Sequence, residues 1–306
     1  MNTSEWRLYV RMIVKDKVLY MLMIPGLLYY LIYKYVPMYG VIIAFQKYSL
    51  GKGIMGSAWV GLEHFRNFFT THNAWLLIRN TLLLNAYELL IVFPAPIVLA
   101  LLLNELRHVL FKRLVQTVSY LPHFISTVVI AGMLVNFLSP STGIVNHLLM
   151  RFGIEPIFFM AEPQWFRTIY IGSELWQKVG WESILYLAAI SGINPALYEA
   201  AKIDGAGRWQ QVQHITLQGM IPVMVVLFMI KIGNIMEIGV QKVILLYNPL
   251  IYETADVINS FVYRRGLIQA DFSFATAVGL FQSVIGLVLV VFFNRMAKKY
   301  TETSLW

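Results

Sequence analysis

The 306-residue chain has no cysteine. That excludes disulfides, thiolate catalysis and cysteine-based metal sites, and it leaves the compartment open. Charge is scarce too: 13% of the residues are charged against 58% hydrophobic, with a mean hydropathy of +0.64. A soluble chain of this length needs far more charge to cover its surface. Nucleotide chemistry is also missing, because GKGIMGS at 51–57 lacks the Lys-Ser/Thr ending of a phosphate loop. No HExxH or GxSxG occurs, and the six histidines are scattered singly. Any work the chain does draws its energy from an ion gradient or a partner.

What the sequence does have is long apolar runs. Six of them suffice to cross a bilayer as helix, which takes roughly 20 residues each. They fall near 17–37, 77–104, 112–139, 167–192, 218–240 and 273–294. Glu174, Lys178 and Glu182 interrupt the fourth. In lipid every backbone polar group must be satisfied internally, so these runs are expected as helices. No barrel-like alternation appears. The expectation is an all-α integral membrane protein, one transmembrane domain over 1–306. Pro25, Pro94, Pro96 and Pro122 lie inside spans, where proline removes a backbone bond and bends the helix.

The formal charge of +8 comes without a basic–aromatic stripe, so it points to orientation in the membrane rather than to nucleic acid. With the N-terminus inside, the cytoplasmic segments hold Arg7, Arg11, Lys15, Lys17, Arg107, Lys112, Arg113, Lys202, Arg208, Arg295, Lys298 and Lys299. The outer segments hold fewer: Lys47, Lys52, Arg66, Arg151, Lys242, Arg264 and Arg265. The excess predicts both termini in the cytoplasm. The first apolar run is too long for a cleavable signal peptide and has no small-residue cleavage site after it.

On this orientation residues 194–217 lie in the cytoplasm. Asn194-Pro195 suits a helix start, since Asn caps free N–H groups and Pro at the first helical position loses nothing. PALYEAAKID reads as a short helix, Gly205-Ala206-Gly207 as a break, and RWQQVQHITL as a second helix leading to the fifth span. The small residues let another backbone approach. Glu199, Lys202, Asp204 and Arg208 supply polar contacts with no net charge. A helix lying on lipid favours a basic polar face, so a docking element for a cytoplasmic partner is the better reading.

The pattern Glu199-Ala200-Ala201, Gly205 and Ile215-Thr216-Leu217 resembles the EAA loop of ABC-importer permease subunits. Where that family usually has proline after the leucine, this chain has Gln218, with Pro222 four residues on. YVPMYGVIIAFQKY (35–48), WVGLEHFRNFF (59–69), LLYNPLIYETADVINSFVYRRGL (245–267), FATAVGLFQSVIGL (274–287) and the closing TETSLW are similar to the family's oligosaccharide and polysaccharide permeases. The resemblance implies half of a translocator in a bacterial plasma membrane. It would pair with a second homologous permease, two ATPase subunits that bind the ATP and Mg, and an extracytoplasmic solute-binding protein that delivers an oligosaccharide. No cofactor is expected in this chain, which does no covalent chemistry. Glu199, Ala200, Ala201, Asp204, Gly205 and Arg208 would form the coupling surface.

Ionisable residues inside spans usually face a cavity or a partner. Glu174, Lys178 and Glu182 share one helical face, either as a self-neutralising ladder or as a polar stripe along a path. Lys231, Asn234 and Glu237 spread over part of the fifth span. Sugars are held by carboxylates and amides together with aromatic faces. Aligned on relatives through the EAA loop, sugar contacts would fall near Glu174, Asn234 and Glu237, with Lys178 beside them. Trp176 and Trp181 are nearby aromatics. The alternative class is a self-contained gradient-driven carrier or channel. It would show broken helices in matching halves, and no such symmetry is visible.

Overall fold

A computed structural model describes residues 15–301. Arg7 and Arg11, counted for orientation, lie outside the described residues, as does TETSLW after Thr301. The chain is almost wholly helical. Its one sheet among the described residues is the two-stranded antiparallel pair β1 (Gln46–Lys47) and β2 (Ala58–Trp59), with Gln46 opposite Trp59.

The helices are α1 Lys17–Phe45, α2 Glu63–Thr70, α3 Ala74–Glu105, α4 Val109–Phe124, α5 Thr127–Phe137 and α6 Ile144–Arg151. They continue as α7 Pro163–Ser191, α8 Pro195–Ile203, α9 Arg208–Gly233, α10 Val240–Leu246, α11 Ile258–Val262 and α12 Phe272–Thr301. Among the described residues α1, α3, α9 and α12 are long and apolar enough to cross a membrane, and α4 with α5 makes a fifth if the bent pair is one span. α7, at 29 residues, has the length but carries too much charge to qualify on composition.

Two expected spans differ in shape. The run 112–139 is not one rod, because α4 and α5 meet at 99°. Pro122 tightens the end of α4 into a 3₁₀ turn, Ile125 and Ser126 are extended, and Ser126 caps α5 by accepting from the Val129 N–H at 3.3 Å. The fifth span runs from Arg208 to Gly233 rather than from 218 to 240, so Asn234 and Glu237 lie in the turn beyond its end. In α3, Pro94 and Pro96 cannot donate backwards along the helix, and a π turn at Glu88–Val92 absorbs the mismatch.

Packing places the polar helix at the centre. α7 lies against the C-terminal half of α3, against α4 and against α9, while α12 covers α9, α2 and the end of α1. Leu84, Val92, Tyr170, Val243 and Val257 share one buried cluster, and Ala100, Tyr186, Ile190 and Met220 form a second nearer the turn at 194–217. In contrast, α1 is exposed along residues 17–39. The α4–α7 crossing is close because residue 180 is glycine: a Cβ there would overlap the Ser119 carbonyl oxygen. We predict that Gly180→Ala destabilises the purified protein by about 1–3 kcal/mol, the usual cost of overpacking. Gly172→Ala on the same helix meets nothing within 4 Å. In thermal unfolding it should match the parent, and equal losses in both variants would contradict this packing.

Candidate functional site

Three features converge on α7. The first is an ionic core. Glu174 is buried and forms ion pairs with Lys178, one turn along its own helix, and with Lys242 of α10, whose side chain is only 3% exposed. Lys242 also donates to Gln177 Oε1 at 3.0 Å and sits over the Tyr170 ring. Gln177 Nε2 in turn donates to the Ile125 carbonyl at 3.1 Å, one of the groups freed where the third span breaks. In a low-dielectric interior such a group must find a partner within the protein. A second buried carboxylate, Glu88 in the π turn of α3, pairs with Lys231 of α9. The two pairings tie four helices together.

The second feature is a cleft of about 410 Å³ between α3, α7 and α9. Glu182, Lys231 and Asn234 line it together with Phe93, Trp181 and Tyr186. Trp181 is held face to face on His123, with ring centroids 4.5 Å apart. Polar groups beside aromatic faces suit a polyhydroxylated ligand.

The third feature is the turn at residues 194–217. Asn194 Oδ1 accepts from the Ala196 N–H at 3.0 Å, with Pro195 in the first helical position. α8 closes with the Ala206 N–H on the Ala201 carbonyl and the Gly205 N–H on the Lys202 carbonyl, the paired bonds of a Schellman motif. Gly205 takes the left-handed conformation this motif needs, φ +81°. Tyr198 and the buried Thr216 share a 3.0 Å hydrogen bond that clamps the two limbs. On the outside Leu197, Ile203 and Trp209 are exposed, the last two at 87% and 70%. Glu199, Asp204 and Arg208 are exposed beside them, and none makes an ion pair among the described residues.

The expected site residues therefore separate. Glu174 and Lys178 form the ladder and belong to the ionic core. Asn234 reaches the cleft, whereas Glu237 is exposed in the turn after α9 and is not among the residues lining it. Glu182 belongs to the cleft. Sequence reasoning missed Glu88 and Lys242, although a carboxylate inside an apolar run is itself a signal. Lys242, counted as an outer loop charge, is a core residue. Arg264, counted likewise, pairs with Asp256 through both carboxylate oxygens. Burial would lower the Arg264 pKa, but its hydrogen bonds to Asp256 and Tyr247 hold it above the ordinary value.

Residues 93–302 match the family described as the binding-protein-dependent transport system inner membrane component. Over 300 residues the chain is 48% identical to the polygalacturonan/rhamnogalacturonan transport system permease protein YteP of Bacillus subtilis, covering 98% of this chain and 93% of the relative. It is 43% identical to the LplB protein of the same organism, over 95% of this chain and 92% of that one. A subunit in the crystal structure of a bacterial alginate ABC transporter, in complex with an alginate-pentasaccharide-bound periplasmic protein, superposes with a TM-score of 0.89. The identity there is 45%, over 96% of this chain and 99% of that subunit. The chain belongs to the binding-protein-dependent transport family and is a membrane-spanning permease of an ABC importer.

If the ionic core organises α7, its two lysines should differ in weight. Breaking a buried pair from one side costs about 3–5 kcal/mol, and Lys242→Met should fall in that range. Lys178 is 35% exposed, so Lys178→Met should cost clearly less. Thermal unfolding of the purified protein checks this, and equal losses would refute the assignment.

Proposed function

We propose that this chain is one of two homologous permease subunits of an importer for oligosaccharides bearing uronate carboxylates. The observation that carries the proposal is the near-full-length similarity to permeases named for polygalacturonan/rhamnogalacturonan and for alginate, an acidic polysaccharide. In this reading the chain crosses the bacterial plasma membrane six times, with α7 as the charged crossing and both termini in the cytoplasm. An extracytoplasmic binding protein delivers the sugar. Two partner ATPase subunits bind ATP and Mg and hydrolyse the nucleotide. Family membership leaves the self-contained carrier without support.

The layout supports a lever. The two helices that lead into and out of the turn, α7 and α9, also line the cleft through Trp181, Glu182 and Lys231. α9 is helical from Arg208 to Gly233, 26 residues, or roughly 39 Å at 1.5 Å per residue. A partner pressing on Glu199, Ala200, Ala201, Asp204, Gly205 and Arg208 thus pushes on rods that carry the sugar-facing groups, Lys231 at the far end of α9 and Trp181 and Glu182 along α7. The clamp between Tyr198 and Thr216 makes the limbs move as one.

Transmission then depends on the shape of the turn. A non-glycine residue in the left-handed region costs about 1–2 kcal/mol, and a β-branched one is a serious outlier. Nothing lies within 4 Å of a Cβ at Gly205, so any effect is conformational rather than steric. Gly205→Val should assemble with the ATPases yet lose most sugar-stimulated ATP hydrolysis, and Gly205→Ala should lose less. Normal stimulation in Gly205→Val would remove the coupling role. The chain reconstituted alone in liposomes should take up no sugar with or without ATP, and uptake by it would overturn the proposal.

A further inference from the structure

Arg79 lies near the start of α3 and Arg167 near the start of α7, at the end of the bundle opposite the coupling turn. Both are half-buried. A short relay of hydrogen bonds joins them. Arg79 Nη2 donates to the Glu253 carbonyl at 3.2 Å, Asn80 Nδ2 donates to the same carbonyl at 3.0 Å, and Arg167 Nη2 donates to Asn80 Oδ1 at 3.0 Å. Asn80 is fully buried and also donates to the Asp256 carbonyl, so the arrangement is fixed in place.

Among the described residues neither guanidinium forms an ion pair, and the Glu253 carboxylate acts on Arg167 only through space. The ion pairs among the described residues use Lys178, Lys231, Lys242, Arg264 and Arg265. Glu253, whose backbone the relay engages, is exposed and makes no ion pair. Moreover, the buried side-chain N–H donors that lack an acceptor among the described residues are Arg79 Nε, Arg167 Nε and Trp165 Nε1, all at this end of α3 and α7. Neighbouring like charges without a directly paired counter-ion are disfavoured, and buried donors normally find acceptors. The guanidinium fork matches a carboxylate in geometry and charge.

We infer that Arg79 and Arg167 read a uronate carboxylate of the oligosaccharide as it enters from the binding protein. The inference rests on the oligosaccharide reading above and adds a charge-reading site to it. A purely structural role, in which the two arginines only brace residues 253–256, would affect every substrate alike.

The test is uptake by the whole reconstituted complex, with binding protein and ATPases, of a galacturonan oligomer and of the same oligomer partly methyl-esterified. Arg79→Gln and Arg167→Gln should each raise KM for the acidic oligomer about tenfold or more, the loss expected for one charged hydrogen-bonding contact. kcat should hold, and uptake of the esterified oligomer should fall much less. Arg→Lys variants, which keep the charge without the fork, should be intermediate. They carry the same comparison if a Gln variant fails to assemble. Equal proportional losses for both oligomers would overturn the inference while leaving the transport reading intact. A parent complex that carries neither oligomer would overturn both.

Discussion

A buried carboxylate held by two lysines organises this membrane protein. An isolated charge in hydrocarbon costs several kcal/mol, and that penalty is offset only by close partners. Glu174 has Lys178 and Lys242, and Glu88 has Lys231. The first set requires α7 to sit inside the bundle against α10, which supplies Lys242, and the second ties α3 to α9. Through Lys242 and Gln177 the same network reaches the Ile125 carbonyl, so the break in the third span is satisfied by the polar helix beside it. α1 has no carboxylate and no ion pair among the described residues, and residues 17–39 stay exposed on the outside.

The central placement of α7 has a consequence for transport. A helix that carries Glu174, Lys178 and Glu182 and ends at Ser191 leads through residues 192–194 into the turn proposed to dock the ATPase. α9 mirrors it from the other side of the turn. In the proposed reading substrate contact and ATPase contact sit on the same two rods, which would let a single rocking motion couple them. At the opposite ends of α3 and α7 from this turn, Arg79 and Arg167 are the groups proposed to meet an anionic sugar.

Much of this was legible from the sequence, and the exceptions share a cause. The lengths of α3 and α7 and the caps of α8 are set by residues within a few positions of one another: apolar run length, Asn194-Pro195, and a glycine at 205. Local chemistry of that kind can be read directly. The bend at Ile125–Ser126 and the end of α9 at Gly233 were not legible. An apolar run looks continuous whether or not a distant helix supplies a partner for a broken backbone. The pairing of Glu88 with Lys231 spans 143 positions, and Lys242 reads as a loop charge until the fold returns α10 to the core. Cleft membership was likewise mixed, because Asn234 and Glu237 were placed on a helix that stops before both.

The account's central claim is that α7 presents its polar side to a water-filled path while its ion pairs stay buried. The chain has no cysteine of its own, so each introduced thiol is the only one on it. Single cysteines at Glu182 and Asn234, and at the outward-facing Leu90 and Val98, would be labelled in the assembled complex with a membrane-impermeant maleimide during ATP turnover. The account predicts rapid modification at positions 182 and 234, slowed by bound oligosaccharide, and little at 90 and 98. Positions 182 and 234 reacting no faster than 90 and 98 would contradict it.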